Sequence, residues 1–146
     1  MTTIADAEAL CAADGGLGTV ATLRADGTIQ TSVVNLAFLR HPFREAQVVG
    51  FVTYGKVKLA NLRSRPQITA TVRSGWKWAA VEGTAELFGP DDPDDRLDAD
   101  GLRLLLRDVF TAAGGTHDDW DAYDREMVEQ RRTAVFFEAT RVYGVA

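Results

Sequence analysis

Cysteine is nearly absent: Cys11 is alone among 146 residues, so no internal disulfide is possible. It is expected as a small buried apolar side chain in a chain suited to a reducing compartment. No apolar run approaches the roughly eighteen residues a membrane helix needs. The opening MTTIADAEAL has no basic segment leading into an apolar one, so no secretory leader is expected and the cytoplasm is the expected location. Histidine occurs only at His41 and His117, and no metal-ligand spacing, Ser-His-Asp set or carboxylate pair with a role emerges. A net charge of −5 argues against general affinity for nucleic acid or a membrane surface. Acidic residues are themselves missing from one place. Between Ala46 and Val81 there is no Asp or Glu, while six of the sixteen Lys and Arg fall there: Lys56, Lys58, Arg63, Arg65, Arg73 and Lys77. An acidic chain that keeps one basic segment suggests an anionic ligand. A solvated basic face is the alternative.

What is present fits one globular domain spanning 1–146, with 46% hydrophobic and 25% charged residues. Ile4 to Ala13 reads as a helix ended by Gly15-Gly16. Gly18–Arg24 and Thr28–Leu39 read as strands joined by Ala25-Asp26-Gly27, a strong hairpin signal. Val48–Thr53 is a third strand, running through Tyr54-Gly55-Lys56 into a short helix with Leu59 and Leu62 inward, stopped by Pro66. Gln67–Arg73 and Trp78–Leu87 make another hairpin, in which Gly83 marks a bulge or the close approach of another backbone or a ligand. The period then changes. Leu102, Leu105, Leu106, Val109 and Phe110 fall on one helical face, and Gly114-Gly115 ends that helix. Asp118–Gln130 suggests a second helix, with Trp120, Tyr123 and Met127 at spacings of three and four, and Thr133–Ala139 a last strand. About six antiparallel strands with flanking helices imply a mainly β fold, a small barrel.

The strand–loop–helix Phe51-Val-Thr-Tyr-Gly-Lys-Val-Lys58, with Pro66 beyond it, resembles the phosphate-binding segment of the split β-barrel flavin-binding fold. That fold is shared by pyridoxamine 5′-phosphate oxidases and by the deazaflavin (coenzyme F420) oxidoreductases. The strand Lys77-Trp78-Ala-Ala-Val-Glu-Gly83 resembles the family strand returning across the cofactor phosphate and ribityl chain. The tail, from Gly114-Gly-Thr-His-Asp-Asp-Trp120 to Arg141-Val-Tyr143-Gly, is similar to small actinobacterial members of the deazaflavin branch.

The resemblance implies a six-stranded antiparallel split barrel and an F420-dependent oxidoreductase moving hydride between the reduced cofactor and a small electron-poor substrate. FMN-dependent chemistry, or non-catalytic carriage of a cofactor or haem, is the alternative. It implies a homodimer with the cofactor in the groove between chains; that no nucleic acid or membrane is a partner is expected from the net charge instead. Lys58 would pair with the cofactor phosphate, with Lys56 adding charge for a more negative ligand. Val52 and Thr53 would line the ring, and Val33, Val34 and Asn35 would approach it from a second strand. Lys77 and Trp78 would meet the phosphate or chain, and Arg125, Arg131 and Arg132 are candidates for the acidic tail of F420. The Arg-Leu-x-Pro ending of pyridoxamine phosphate oxidases is absent, which argues against vitamin B6 oxidation.

Other polar residues carry plainer expectations. His117-Asp118-Asp119 reads as a helix cap rather than a metal or proton-transfer site. His41, before Pro42, is expected at the surface. Trp76 and Trp78, two apart, are expected on one strand face, where they offer a stacking platform that nothing else in this acidic chain supports. Trp120, Tyr123 and Met127 are expected in the core, or else covering a substrate pocket.

Overall fold

The computed structural model describes residues 1–146. Helix α1 (Ile4–Ala13) starts on a capping box in which Thr3 and Asp6 satisfy each other's backbone N–H groups. It ends at Gly15 and Gly16, whose φ of 69° and 79° lie in the left-handed region. Strands β1 (Leu17–Leu23) and β2 (Ile29–Asn35) pair in register around Asp26-Gly27, where the Asp26 carboxylate accepts from the Thr28 N–H. Then follow β3 (Ala37–Arg40), β4 (Gln47–Thr53), α2 (Lys56–Ser64), β5 (Gln67–Ser74) and β6 (Lys77–Phe88). Helices α3 (Ala99–Ala112) and α4 (Trp120–Glu129) precede β7 (Thr133–Phe137) and β8 (Arg141–Val145).

The antiparallel strand order is β2-β1-β5-β6-β7-β4-β3, with β8 pairing onto β6. The long strand β6 belongs to both halves. Residues 77–84 pair with β5, and Ala85–Phe88 pair with β7. Gly83 sits at the pivot, where a Cβ would lie 2.4 Å from the Glu138 carbonyl oxygen, so the close approach expected there is found. The two edge strands, β2 and β3, are consecutive in the chain with only Leu36 between them. The edges of the curled sheet are therefore tied together at Leu36 and part beyond it.

Two cores result. One packs α1 and α2 against the inner face of the sheet through Leu10, Val20, Leu62, Ile68 and Phe51. The other packs α3 and α4 against the opposite face of β4, β7 and the end of β6 through Val48, Phe88, Phe136, Leu105 and Met127. Burial of such side chains contributes about 1.5–3 kcal/mol each. The outer face of β2-β1-β5-β6-β8 has no cover, and Ile29, Val33, Trp78, Tyr143 and Val145 stand exposed on it.

The mainly β barrel-like fold agrees with expectation; the count of six strands does not, because there are eight. The run Thr28–Leu39 is two strands. Leu36 leaves the first sheet, its N–H donating to the Gly16 carbonyl, and consecutive burial of Leu36 and Ala37 breaks the alternation. Arg141–Val145 forms β8, which fits against β6 only because Gly144 (φ 148°) has no Cβ; one would meet the Trp78 carbonyl oxygen at 2.2 Å. His41 is buried, not superficial. Its ring lies among Phe43, Phe88 and Phe136, with Nε2 3.2 Å from the Glu86 carboxylate. Trp76 lies in the turn beside Gly75 (φ 62°), outside β6, so it does not share a strand face with Trp78. Cys11 is buried as expected, and burial followed by the charges of Asp14 and Glu8 pushes its thiol up to about 11. No helix is long and apolar enough to cross a membrane.

Candidate functional site

The ends of β2 and β4 face helices α3 and α4 across a cleft of about 550 Å³ beside the parted sheet edges. It brings together six of the expected residues: Val33, Val34 and Asn35 from β2, Val52 and Thr53 from β4, and Lys58 from α2. Alternation puts Val33 and Asn35 on one face of β2 and Val34 on the other, so the cleft meets both faces near the end of that strand, while β4 delivers its last two residues to the loop that starts α2.

That helix start is electrostatically inverted. The other three helices begin on side-chain caps (Thr3, Asp98, Asp119) with an acid in the first turn. Helix α2 begins on Gly55 with no side-chain cap and no acid, and Lys56 and Lys58 occupy its first turn. Cations there oppose the helix dipole and await a negative partner. Lys56 points to solvent. Lys58 is 7% exposed, and its only hydrogen bond runs from Nζ to Thr53 Oγ1, 3.2 Å. Its Nζ also lies 5.6 Å from the Phe51 ring centroid. Burial first, and then the charge of Arg132, hold the Lys58 pKa below its ordinary value. The Thr53 hydroxyl accepts from both Lys58 and the Gly55 N–H, and its own O–H has no protein acceptor. Opposite it in register, Thr133 keeps a buried Oγ1 without any partner.

Several arginines are paired: Arg63, alone in the basic segment, with Asp92, Arg107 with Asp124, and Arg131 with Asp91. Within the basic segment, Lys56, Lys58, Arg65, Arg73 and Lys77 have no carboxylate partner. Arg65 and Arg73 donate to the carbonyl oxygens of Leu23 and Gly75.

The opposite wall was only partly anticipated. Tyr123 and Met127 line the cleft as well as the core. The Tyr123 hydroxyl donates to the Leu106 carbonyl at 3.1 Å, and burial pushes its pKa up to about 12. Trp120 backs this wall edge-on to Phe110 and Tyr123. Asp119 caps α4, accepting from the Ala122 N–H, and His117 Nδ1 accepts from the Asp119 N–H, as the cap expectation holds. His117 nevertheless also faces the cleft, as do Phe110, Glu126, Tyr54 and Arg132. For Tyr54 and Phe110 a local signal existed: an aromatic inside the basic loop, and the last apolar position of the α3 stripe.

Lys56, Lys77 and Trp78 do not line the cleft of their own chain. Trp78 stands on the outer sheet face, edge-on to Tyr143. Between β2 and β6 lie β1 and β5, which puts β6 about 14 Å across the sheet from Val33. Arg125 is exposed, and Arg131 is held by Asp91.

A second cavity, of about 340 Å³, lies behind Met127 and Arg132, between the β6–α3 loop and the two helices. The carboxylates of its rim are internally satisfied, Asp92 by Arg63, Asp94 by Arg96, Asp124 by Arg103 and Arg107, and Arg132 is shared with the larger cleft. The larger cleft is the one with unanswered charge. No group of His, Cys, Asp and Glu is arranged to hold a metal ion.

No family model matches the sequence. Among solved structures, 99% of the chain matches 84% of a conserved hypothetical protein from Mycobacterium tuberculosis, with a TM-score of 0.66 and 19% identity. An F420 reductase matches over 87% of this chain and 88% of its own, at 0.59 and 18%. A pyridoxamine 5′-phosphate oxidase-related, FMN-binding protein from Nostoc punctiforme matches over 95% and 79%, at 0.62 and 13%. The likeness is one of fold: the chain has the split β-barrel architecture of pyridoxamine phosphate oxidase-like proteins.

Proposed function

We propose that the chain is an oxidoreductase, with residues 1–146 as one cofactor-binding unit, whose cleft takes coenzyme F420. The observation that carries this reading is the buried, carboxylate-free Lys58 at the uncapped start of α2. A phosphate there meets the Lys58 ammonium, the free N–H groups of the first turn and the unused Thr53 O–H, all donors. Val33, Val34, Asn35 and Val52 offer a mostly apolar slot of the kind a planar ring system fills. The bound deazaflavin supplies hydride chemistry toward a small electron-poor substrate. The protein's part is to hold the ring edge against β2 and β4 and to keep water out with α3 and α4. That division of labour suits a cleft without a nucleophile–base pair.

Lys56 supplies a further cation for the more negative F420, whereas the phosphate position itself serves FMN equally well. FMN is therefore the second reading, favoured by the FMN-binding fold relative.

The proposed assembly is a homodimer joined through the uncovered outer sheet face. This is how Lys77 and Trp78 would come to a cofactor held between two chains. A reducing, cytoplasmic setting suits the lone buried thiol.

The test is fluorescence titration of the cofactor-free protein with F420 and, separately, with FMN. Tighter F420 binding supports the first reading and FMN preference the second. Binding of neither refutes both.

A further inference from the structure

We propose that Arg132, laid on the Tyr54 ring, forms a second anion subsite in the cleft, which receives a carboxylate and is separate from the phosphate position at Lys58. The inference deepens the functional reading above and rests on its view of the cleft as the cofactor groove.

Arg131 and Arg132 are adjacent, yet their surroundings differ. At the end of α4, Arg131 takes a left-handed conformation, φ 51°, the only non-glycine residue to do so. The Arg132 N–H bonds back to the Met127 carbonyl and the Arg131 N–H to that of Val128, closing the helix end. Glycine is the usual residue at that position, and strain of this kind often accompanies function. The turn sends Arg131 outward to Asp91 and Arg132 into the cleft.

There the Arg132 guanidinium carbon lies 4.0 Å from the Tyr54 ring centroid, so one face is covered. Gln130 Oε1 takes Nε at 2.7 Å. Neither terminal nitrogen has a protein acceptor, and no carboxylate pairs with the group. Burial, opposed by the nearby Tyr54, Glu126 and Tyr123, lowers its pKa. An arginine with a covered face, a tethered Nε and two free terminal nitrogens presents a flat two-pronged edge, which fits a carboxylate. The Glu126 charge lines the same cleft, and it repels a doubly charged phosphoryl group more than a single carboxylate. Phe110, Val109, Ala113 and Met127 form the adjoining wall, so the carboxylate's carrier is apolar where it meets them.

Such a carboxylate has two sources: the acidic tail of F420, or the substrate. The experiment uses three probes on the full-length wild type, Arg132→Gln, Arg132→Lys and Lys58→Ala. They are F420, FMN, and trans-cinnamate compared with cinnamyl alcohol in the presence of saturating FMN. Arg132→Lys keeps a charge and loses the fork, and thermal melting checks that each variant folds.

If the substrate is the source, wild type prefers cinnamate over the alcohol by about ten- to a hundred-fold, and Arg132→Gln erases the preference without changing FMN affinity. If the tail is the source, Arg132→Gln weakens F420 by a similar factor and leaves FMN unchanged. In either case Arg132→Lys recovers only a minor part of the loss. Equal weakening of F420 and FMN would assign Arg132 to the phosphate and overturn the proposal. No change with any probe, or full rescue by lysine, would overturn it too. Lys58→Ala separates the two readings: unchanged FMN and F420 affinity there refutes the phosphate site whatever Arg132 does.

Discussion

Lys58 is expected to be a liability to the empty fold and an asset to the bound one, and Lys58→Met separates the two. Methionine preserves the length and the packing against Phe51 while removing a 7%-exposed charge that has only the Thr53 hydroxyl for company. The loss of one charged hydrogen bond and a cation–π contact offsets part of the relief from desolvation. A net gain of about 1 kcal/mol remains, in line with apolar replacement of buried charge. For a domain of this size that raises the apo melting temperature by about 2–4 °C. The pH dependence follows from the lowered pKa. Between the folded value and the ordinary value near 10.4, the unfolded chain holds more protons, so wild-type stability rises with pH there. The advantage of methionine is thus full below the folded pKa and fades as pH approaches about 10.4. Cofactor reverses the order. At a hundred times its Kd it stabilises wild type by about 2.7 kcal/mol, or about 5–10 °C. After a hundred-fold loss of affinity, the same concentration yields about 0.4 kcal/mol, near 1 °C. Melting curves of both proteins with and without F420 or FMN read all four states. A lower apo melting temperature in Lys58→Met, or an undiminished ligand shift, would refute the reasoning.

Asp124 takes hydrogen bonds from Arg107 Nε at 2.9 Å and Arg103 Nη1 at 3.3 Å, and the Arg107 bond above all lowers its pKa. Its contribution is present above the ordinary carboxylate range and disappears as pH falls through the lower folded value. Asp124→Asn should therefore cost about 1 kcal/mol in urea unfolding at pH 7 and little in strong acid; an undiminished difference in acid would contradict this. Gly83→Ala drives a Cβ to within 2.4 Å of the Glu138 carbonyl oxygen and should destabilise by about 2–3 kcal/mol, read as a lower urea midpoint with unchanged slope. Arg131→Gly relieves about 1 kcal/mol of left-handed strain and gives up an exposed ion pair worth less. Its stability should equal or exceed wild type, and a loss above about 1 kcal/mol would mean that Asp91 anchors the turn. Ile29, 62% exposed on the outer face, should become Glu without loss of fold. Sedimentation velocity should then show the proposed dimer falling to monomer, and a persisting dimer would move the interface elsewhere.

Local patterns carried much of the architecture. The Gly15-Gly16 stop, Asp26-Gly27 and the switch from a period of two to one of 3.6 each act over a few residues, and those elements appear where the pattern puts them. The residues of β2 and β4 that meet at the cleft came from the family resemblance, and only Lys58 also carried a local signal, the run of unopposed cations. What failed was set by distant partners. The burial of His41 depends on Phe88, Phe136 and Glu86, far along the chain. Trp78 stands across two intervening strands from the cleft of its own chain, a separation fixed by sheet order rather than by sequence spacing, so its proposed contact with a cofactor is one made between chains. The arginines at 131 and 132 show the limit most sharply. As neighbours in Gln-Arg-Arg-Thr they carry identical local signals. Only the left-handed turn at the end of α4 decides that one pairs with Asp91 in solvent while the other, without a partner, enters the cleft. The unanswered charge, rather than the residue type, is what distinguishes a binding arginine from a structural one, and it becomes visible only once every neighbour's partner is known.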